Sequence, residues 1–257
     1  MRRFDLTPIK LLLVIVSMAA AASRLEAGQG GGGRGRIKGT VTLMGQLPGN
    51  PVIRMGRDPM CAQINRGKRV VQETVVADLK GNLANAFVSL EGTFPDAPVP
   101  NTPVIVDQKS CVYTPRVVGV RAGQTLQIHN SDNLLHNIHS ESTVKENTFN
   151  IAQPIAGMTN QFKLKEEPRM IRLGCDIHSW MRTYIGVVTH PYFSVSSTTG
   201  AFEIADVPPG TYMIQSWHER YGVVKQSVQV RAGAVVTAAF SYTGQENPPP
   251  EAPKVDR

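Results

Sequence analysis

Short runs rich in β-branched and aromatic residues recur along the chain between glycine and proline punctuation. Many alternate apolar with polar positions in the period of two that a half-buried strand requires. The runs are Ile37 to Leu43, Val70 to Val76, Ala86 to Leu90, Pro103 to Asp107, Val117 to Val120, Thr125 to His129, Met170 to Leu173, Tyr184 to Thr189, Phe202 to Ile204, Thr211 to His218, Lys225 to Val230 and Val235 to Tyr242. No stretch of a dozen residues carries strong helical periodicity, so the pattern predicts an all-β, antiparallel sandwich architecture.

The two ends read differently from this middle. Arg2, Arg3 and Lys10 precede an uncharged apolar run from Leu11 to Val16 and small residues through Ala22, the pattern of a secretory signal peptide over 1–27, too short to span a membrane. Residues 28–36 are nearly all glycine and predict a flexible linker, and residues 244–257, rich in proline and charge, predict a disordered tail. The expected destination is periplasmic or secreted, with no stable membrane insertion once the signal is removed.

Within the folded part, Ile37-Lys38-Gly39-Thr40-Val41 and Ala86 to Gly92 resemble the opening of a carboxypeptidase regulatory-like, transthyretin-type sandwich. Its closing pattern is met only in Ser196 to Ile204 and Val207-Pro208-Pro209-Gly210-Thr211-Tyr212, where Gly200 and Pro208-Pro209-Gly210 supply turns. The resemblance implies one sandwich made of 37–99 plus 192–243, with 100–191 inserted into it. Two consecutive domains are the other arrangement.

The chain of 257 residues has a formal charge of +7, and removing 1–27 leaves 23 basic against 18 acidic residues, or +5. Arg54, Arg57, Arg66, Lys68 and Arg69 gather around the first cysteine, a patch suited to steering an acidic partner or simply a solvated loop. No aromatic residues interleave with them, and export also argues against nucleic acid. The three cysteines, Cys61, Cys111 and Cys175, are an odd number for an oxidising compartment. Two can pair while the third needs other work. Cys61 and Cys111 are the expected disulfide, two free thiols being the alternative.

That other work is suggested by Cys175-Asp176-Ile177-His178-Ser179-Trp180-Met181, flanked by strand-like runs. A thiolate, an imidazole and a thioether on one loop are the mixture a blue-copper site uses, with two histidines and a cysteine in plane and a weak axial methionine. The second histidine is sought in Ile128 to His139, where His136 and His139 are three apart. Residues at odd separation on a strand face opposite sides, so one reaches the metal and the other does not.

Asn130-Ser131-Asp132, His136-Asn137-Ile138-His139 and Cys175-x-x-His178-x-x-Met181 together resemble the cupredoxins, especially the amicyanin and plastocyanin branch. The resemblance covers about Thr102 to Pro191. It implies a Greek-key sandwich and one mononuclear copper held by His136, Cys175, His178 and Met181. It also implies that Asn137 ties the upstream strand to the ligand loop and that electrons pass through the loop histidine near the surface. Further on, His190 to Phe193 and Ser216 to Arg220 are similar to periplasmic methylamine-utilisation-like proteins that join both kinds of sandwich. The chain departs from amicyanins at Ser179, where they carry proline, and Arg116 stands where two-part relatives often carry histidine.

A structural zinc site of His136, His139, Cys175 and His178 is the competing metal reading. His129, His190 and His218 are assigned no metal, and Trp180 is expected to cover the copper, form a docking surface or pack in the core. No Gly-x-Ser-x-Gly elbow, Cys-x-x-Cys-His haem signature, phosphate-cradling loop or His-x-His cluster is present. The expectation is therefore an electron carrier rather than an enzyme, with a c-type cytochrome or periplasmic dehydrogenase as partner. Copper handling without redox turnover, or a structural sandwich with a vestigial site, are the alternatives.

Overall fold

Alternation of buried and exposed positions sets the strands of the computed structural model, which describes residues 33–246; the expected signal peptide and most of the expected linker and tail lie outside the described residues. In Gly35–Leu43 (β1), Ile37, Val41 and Leu43 point inward, while Arg36, Lys38 and Thr40 do not. β1 lies parallel to Val235–Tyr242 (β16) and antiparallel to Ala201–Val207 (β13), forming a three-stranded sheet. It starts inside the expected linker: Gly35 pairs with Val207, and the Arg36 guanidinium meets Glu203. A second sheet runs Phe193–Val195 (β12), Phe87–Glu91 (β2), Gly210–His218 (β14), Gly222–Val230 (β15). Ile37, Leu83, Leu90, Ile214, Phe240 and Tyr242 fill the core of this half.

Residues between β2 and β12 build two further sheets. One has the order Val112–Thr114 (β4), Val104–Lys109 (β3), Thr125–Asn130 (β6), Thr159–Lys163 (β9). The other runs Val117–Arg121 (β5), Arg182–Val188 (β11), Ile171–Gly174 (β10), His136–Glu141 (β7), Asn150–Gln153 (β8). Their shared core holds Val106, Leu126, Ile128, Ile138, Ile171, Leu173 and Ile185, together with Cys175 and Met181. Among the described residues the fold is all-β apart from one short helix, Pro59–Ile64 (α1), and two single 3-10 turns. Among the described residues no helix is long and apolar enough to cross a membrane.

The strands without an apolar signature, β7, β8 and β9, are held by pairing and by buried amides. Asn130 Nδ2 donates to the Gln153 carbonyl at 2.9 Å, and Gln153 Nε2 donates to the Ile128 carbonyl at 3.1 Å. Each such bond returns the desolvation cost of a buried polar group, so a polar sequence can line a sheet interior. The run Val70 to Val76, by contrast, is not a strand: it makes one bridge, Val71 to Val52, and is tied by Asn50, whose side chain bonds both the N–H and the carbonyl of Val75.

The two halves meet through a third cluster, Phe87, Val117 and Trp217, and belong to one compact unit. Their approach requires glycine: a Cβ on Gly186 would lie 2.6 Å from the Phe87 ring. Beside this contact, Arg116 makes a two-pronged ion pair with Glu219, at 2.9 and 2.6 Å. Only 9% and 6% of the two side chains are exposed. The guanidinium also lies over the Tyr184 ring. Arg116 is thus a structural cation at the junction of the two halves.

Candidate metal centre

The loop between β10 and β11 carries Cys175, His178 and Met181. It is closed on itself by two backbone bonds, Met181 N–H to the His178 carbonyl at 2.8 Å and Cys175 N–H to the Met181 carbonyl at 3.3 Å. Cys175, His178 and Met181 are all buried. The neighbouring strand β7 delivers His136 from its first position, fully buried. His139, three residues on, faces the other way and donates its Nδ1–H to Asp176 Oδ1 at 2.8 Å on the partly exposed side. Strand alternation thus separates the two histidines, and His139 is not among the residues that converge.

Those that converge are His136, Cys175 and His178, whose candidate donor atoms all lie within 4.8 Å of one another. His136 Nδ1 is 3.0 Å from His178 Nδ1, and His178 Nδ1 is 3.6 Å from Cys175 Sγ. The opposite nitrogens are occupied: His136 Nε2 lies 3.0 Å from Asp132 Oδ2, and His178 Nε2 lies 2.9 Å from Asp58 Oδ2. A carboxylate accepts only, so each Nε2 bears a proton, and on a neutral ring Nδ1 then presents a lone pair. With both rings neutral and the thiol ionised, two lone pairs and a thiolate face one small space. Such an arrangement is stable when a cation is shared, and a soft thiolate with two imidazoles suits a copper ion.

A proton at Nδ1 can take the place of that cation. Burial pushes the Cys175 thiol up, yet the hydrogen bonds from His136 and His178 and the N–H groups of Asn137 and His178 outweigh it and bring the thiol down from 9.0 to about 6. Burial pulls His136 down, but Asp132 and Cys175 raise it to about 8. His178 is raised in the same manner against its burial, by Cys175 and Asp58. The site therefore favours a thiolate with positive charge beside it.

Asn137 secures the junction. Its Oδ1 accepts the Asp176 N–H at 2.7 Å, and its Nδ2 donates to Asp176 Oδ2 at 3.2 Å and to Asn150 Oδ1 at 2.7 Å. The strand bearing one imidazole is thereby fastened to the loop bearing the other and the thiol.

Sequence reasoning missed the two aspartates. Asp132 also receives the N–H groups of Ser110 and Cys111, both at 2.7 Å. These two residues form the turn between β3 and β4 with φ of 57° and 59°, a left-handed pair that suits a two-residue hairpin. Asp58 divides its carboxylate: Oδ1 caps α1 by accepting from Met60 and Cys61, and Oδ2 holds His178. The signal for this was Asp58-Pro59, an N-cap followed by proline in the first turn.

Asp58 belongs to a strap, residues 51–72, closed at its neck by Gln72 N–H to the Pro51 carbonyl and Ile53 N–H to the Val70 carbonyl. The strap is tied down by the disulfide Cys61–Cys111, with Cα atoms 5.8 Å apart. Cys175 remains the free thiol among the described residues. The strap corrects one expectation: His178, read as the ligand nearest the surface, is 1% exposed because Asp58 and Cys61 cover it. Trp180 is partly buried, with its ring 5.2 Å from that of His178, and donates its N–H to the Cys111 carbonyl, so it pins the ligand loop to the disulfide.

No family model and no curated protein matches the chain. Among solved structures it is similar to a purple cupredoxin from Nitrosopumilus maritimus, at 20% identity over 33% of this chain and 98% of that one, with a TM-score of 0.29. It is also similar to amicyanin from Paracoccus versutus, at 18% identity over 39% of this chain and 96% of that one, TM-score 0.30. A copper-containing nitrite reductase from Thermus scotoductus matches at 18% identity over 37% of this chain and 24% of its own, TM-score 0.28.

Proposed function

We propose that this protein is a cupredoxin-type electron carrier in which His136, Cys175, His178 and the thioether of Met181 would hold one copper ion. The observation that supports it most is the pair of Nδ1 atoms 3.0 Å apart with the Cys175 sulfur beside them, while both Nε2 positions are taken by carboxylates. Bound copper would supply one-electron exchange between Cu(I) and Cu(II). The residues do the rest: Asp132 and Asp58 fix the ring orientations, Asn137 fixes the distance between strand and loop, and burial excludes water and added ligands. A site held this firmly changes little between oxidation states.

The zinc reading is weaker, because His139 is turned toward Asp176 and leaves zinc short of a fourth strong donor. In our reading the chain is an exported, non-enzymatic protein whose partner is a redox protein such as a c-type cytochrome or a periplasmic dehydrogenase. The disulfide is in keeping with an oxidising compartment. The sandwich containing β1 and β14 would be the regulatory-like part, interrupted by the cupredoxin part and serving as its scaffold.

Adding one equivalent of Cu(II) to purified metal-free protein tests this directly. An intense thiolate-to-copper absorption band that bleaches with ascorbate and returns on reoxidation is expected. A colourless, exchangeable complex would mean copper handling instead, and no binding would mean a vestigial site.

A further inference from the structure

Burial of His178 removes the surface route expected for a loop histidine, so contact between the centre and a partner has to be made elsewhere. The hydrogen-bonded path that leads outward from His178 is Nε2–H to Asp58 Oδ2, 2.9 Å. Asp58 is 26% exposed while His178 is 1% exposed, so this carboxylate is where the path reaches solvent.

The ground around it is strongly basic. Arg54, Arg57, Arg66, Lys68 and Arg69 all lie on the same strap and are all exposed. None has an ion pair or a side-chain hydrogen bond among the described residues. The backbone bond from Ile53 to Val70 sets Arg54 and Arg69 beside each other at the neck, and the Lys68 N–H to Asn65 carbonyl bond folds the third side of the strap back toward α1. Met60 and Val52, on the same strap, are exposed and offer apolar contact beside these charges. Cations left unpaired by their own protein raise the local concentration of an oppositely charged one, and apolar atoms within a charged rim are the usual make-up of a docking surface.

We propose that the outer face of the strap docks an acidic electron-transfer protein, and that Asp58 carries the contact through to His178. This rests on the copper reading above and names the face and the kind of partner for that same site. The step is the passage of one electron between the reduced centre and the partner, with no bond made or broken and no proton moved.

The first test needs no metal. Isotope-labelled, metal-free protein titrated with the paramagnetic trianion hexacyanochromate(III) should show amide broadening centred on Arg54, Arg57, Lys68 and Arg69. Broadening centred on any other face overturns the proposal whether or not the protein binds copper. The second test uses copper-loaded protein with Arg54→Glu, Arg57→Glu and Lys68→Glu together. Its absorption band should be unchanged. Oxidation by hexacyanoferrate(III), which leaves as hexacyanoferrate(II), should slow on the order of tenfold at low salt, and oxidation by the cation tris(phenanthroline)cobalt(III) should quicken. An intact band with unchanged rates overturns the docking face and leaves the copper reading standing; absence of a band in the unsubstituted protein sinks the copper reading and leaves the first test in force. Anionic phospholipid vesicles that bind the strap, with no effect of the trianion, would identify a membrane surface in place of a protein and overturn the proposal.

Discussion

His218 and His136 are both fully buried, one in each half of the molecule, and their protonation is pushed in opposite directions. Around His218, at the end of β14, are the rings of Tyr221 and Tyr242 and the charges of Arg116 and Arg220. Burial first, then those cations, bring it from 6.5 to about 3. Around His136 burial acts in the same sense, but Asp132 and the Cys175 thiolate reverse it and the group rises to about 8. Burial of a histidine therefore says little about function; the sign of its shift reports whether negative charge has been gathered beside it. One half spends its interior on aromatic packing and keeps its histidine neutral. The other collects a thiol, two imidazoles and two carboxylates that make sense around a cation.

The sharpest way to break the contrast is Cys175→Ser, which keeps size and removes the soft donor. Copper affinity should drop by more than the roughly 100-fold that loss of an outer partner costs, and the charge-transfer band should vanish. A band of unchanged intensity would place the sulfur outside the site.

Next in size is the junction between the halves. Arg116→Ala should cost about 3–5 kcal/mol, because it strands the Glu219 carboxylate in a buried position. Arg116→Met with Glu219→Leu should recover most of that loss in urea unfolding. If the single substitution costs nothing, the two halves are not joined by this pair.

Replacing both Cys61 and Cys111 with alanine opens a link between residues 50 apart and should cost about 2–4 kcal/mol in the same assay. It should also raise the solvent accessibility of His178, read by hydrogen exchange at that ring.

These tests also mark what was legible in the chain. Cys175, His178 and Met181 stood out by donor type and spacing, the two-residue period of a strand required His136 and His139 to part, and the resemblance to cupredoxins chose His136, which the structure brings together with Cys175 and His178. The pairing of Cys61 with Cys111 followed from counting thiols in a chain expected to be exported. Asp58 and Asp132 could not be read in this way, because a carboxylate aimed at an imidazole looks in sequence like any turn aspartate. Nor could the strap's place over His178, which depends on a contact spanning 120 positions. Strands β7 to β9 escaped because buried amides, rather than apolar alternation, hold them. Helix α1 escaped because six residues are too few to show a period, although its Asp-Pro start was visible.

A smaller effect is expected from Asn137→Ala, which unties β7 from the ligand loop. About tenfold weaker copper binding with an unchanged far-ultraviolet dichroism spectrum would fit its fastening role. The smallest concerns His218. Its folded-state pKa lies below the unfolded value, so the unfolded chain takes up a proton that the folded one refuses, and stability is lost as pH falls from about 6.5 toward 3. His190, lowered to about 4 by burial, acts in the same sense. The melting temperature of metal-free His218→Gln should therefore depend less on pH between 6.5 and 4.5 than that of the unsubstituted protein, without becoming flat.

X-ray absorption at the copper edge, on protein loaded with a single equivalent, reaches the central claim most directly. The account predicts one short sulfur contact and two imidazole nitrogens, with the sulfur contribution gone in Cys175→Ser. A shell of nitrogen and oxygen alone in the unsubstituted protein would contradict it.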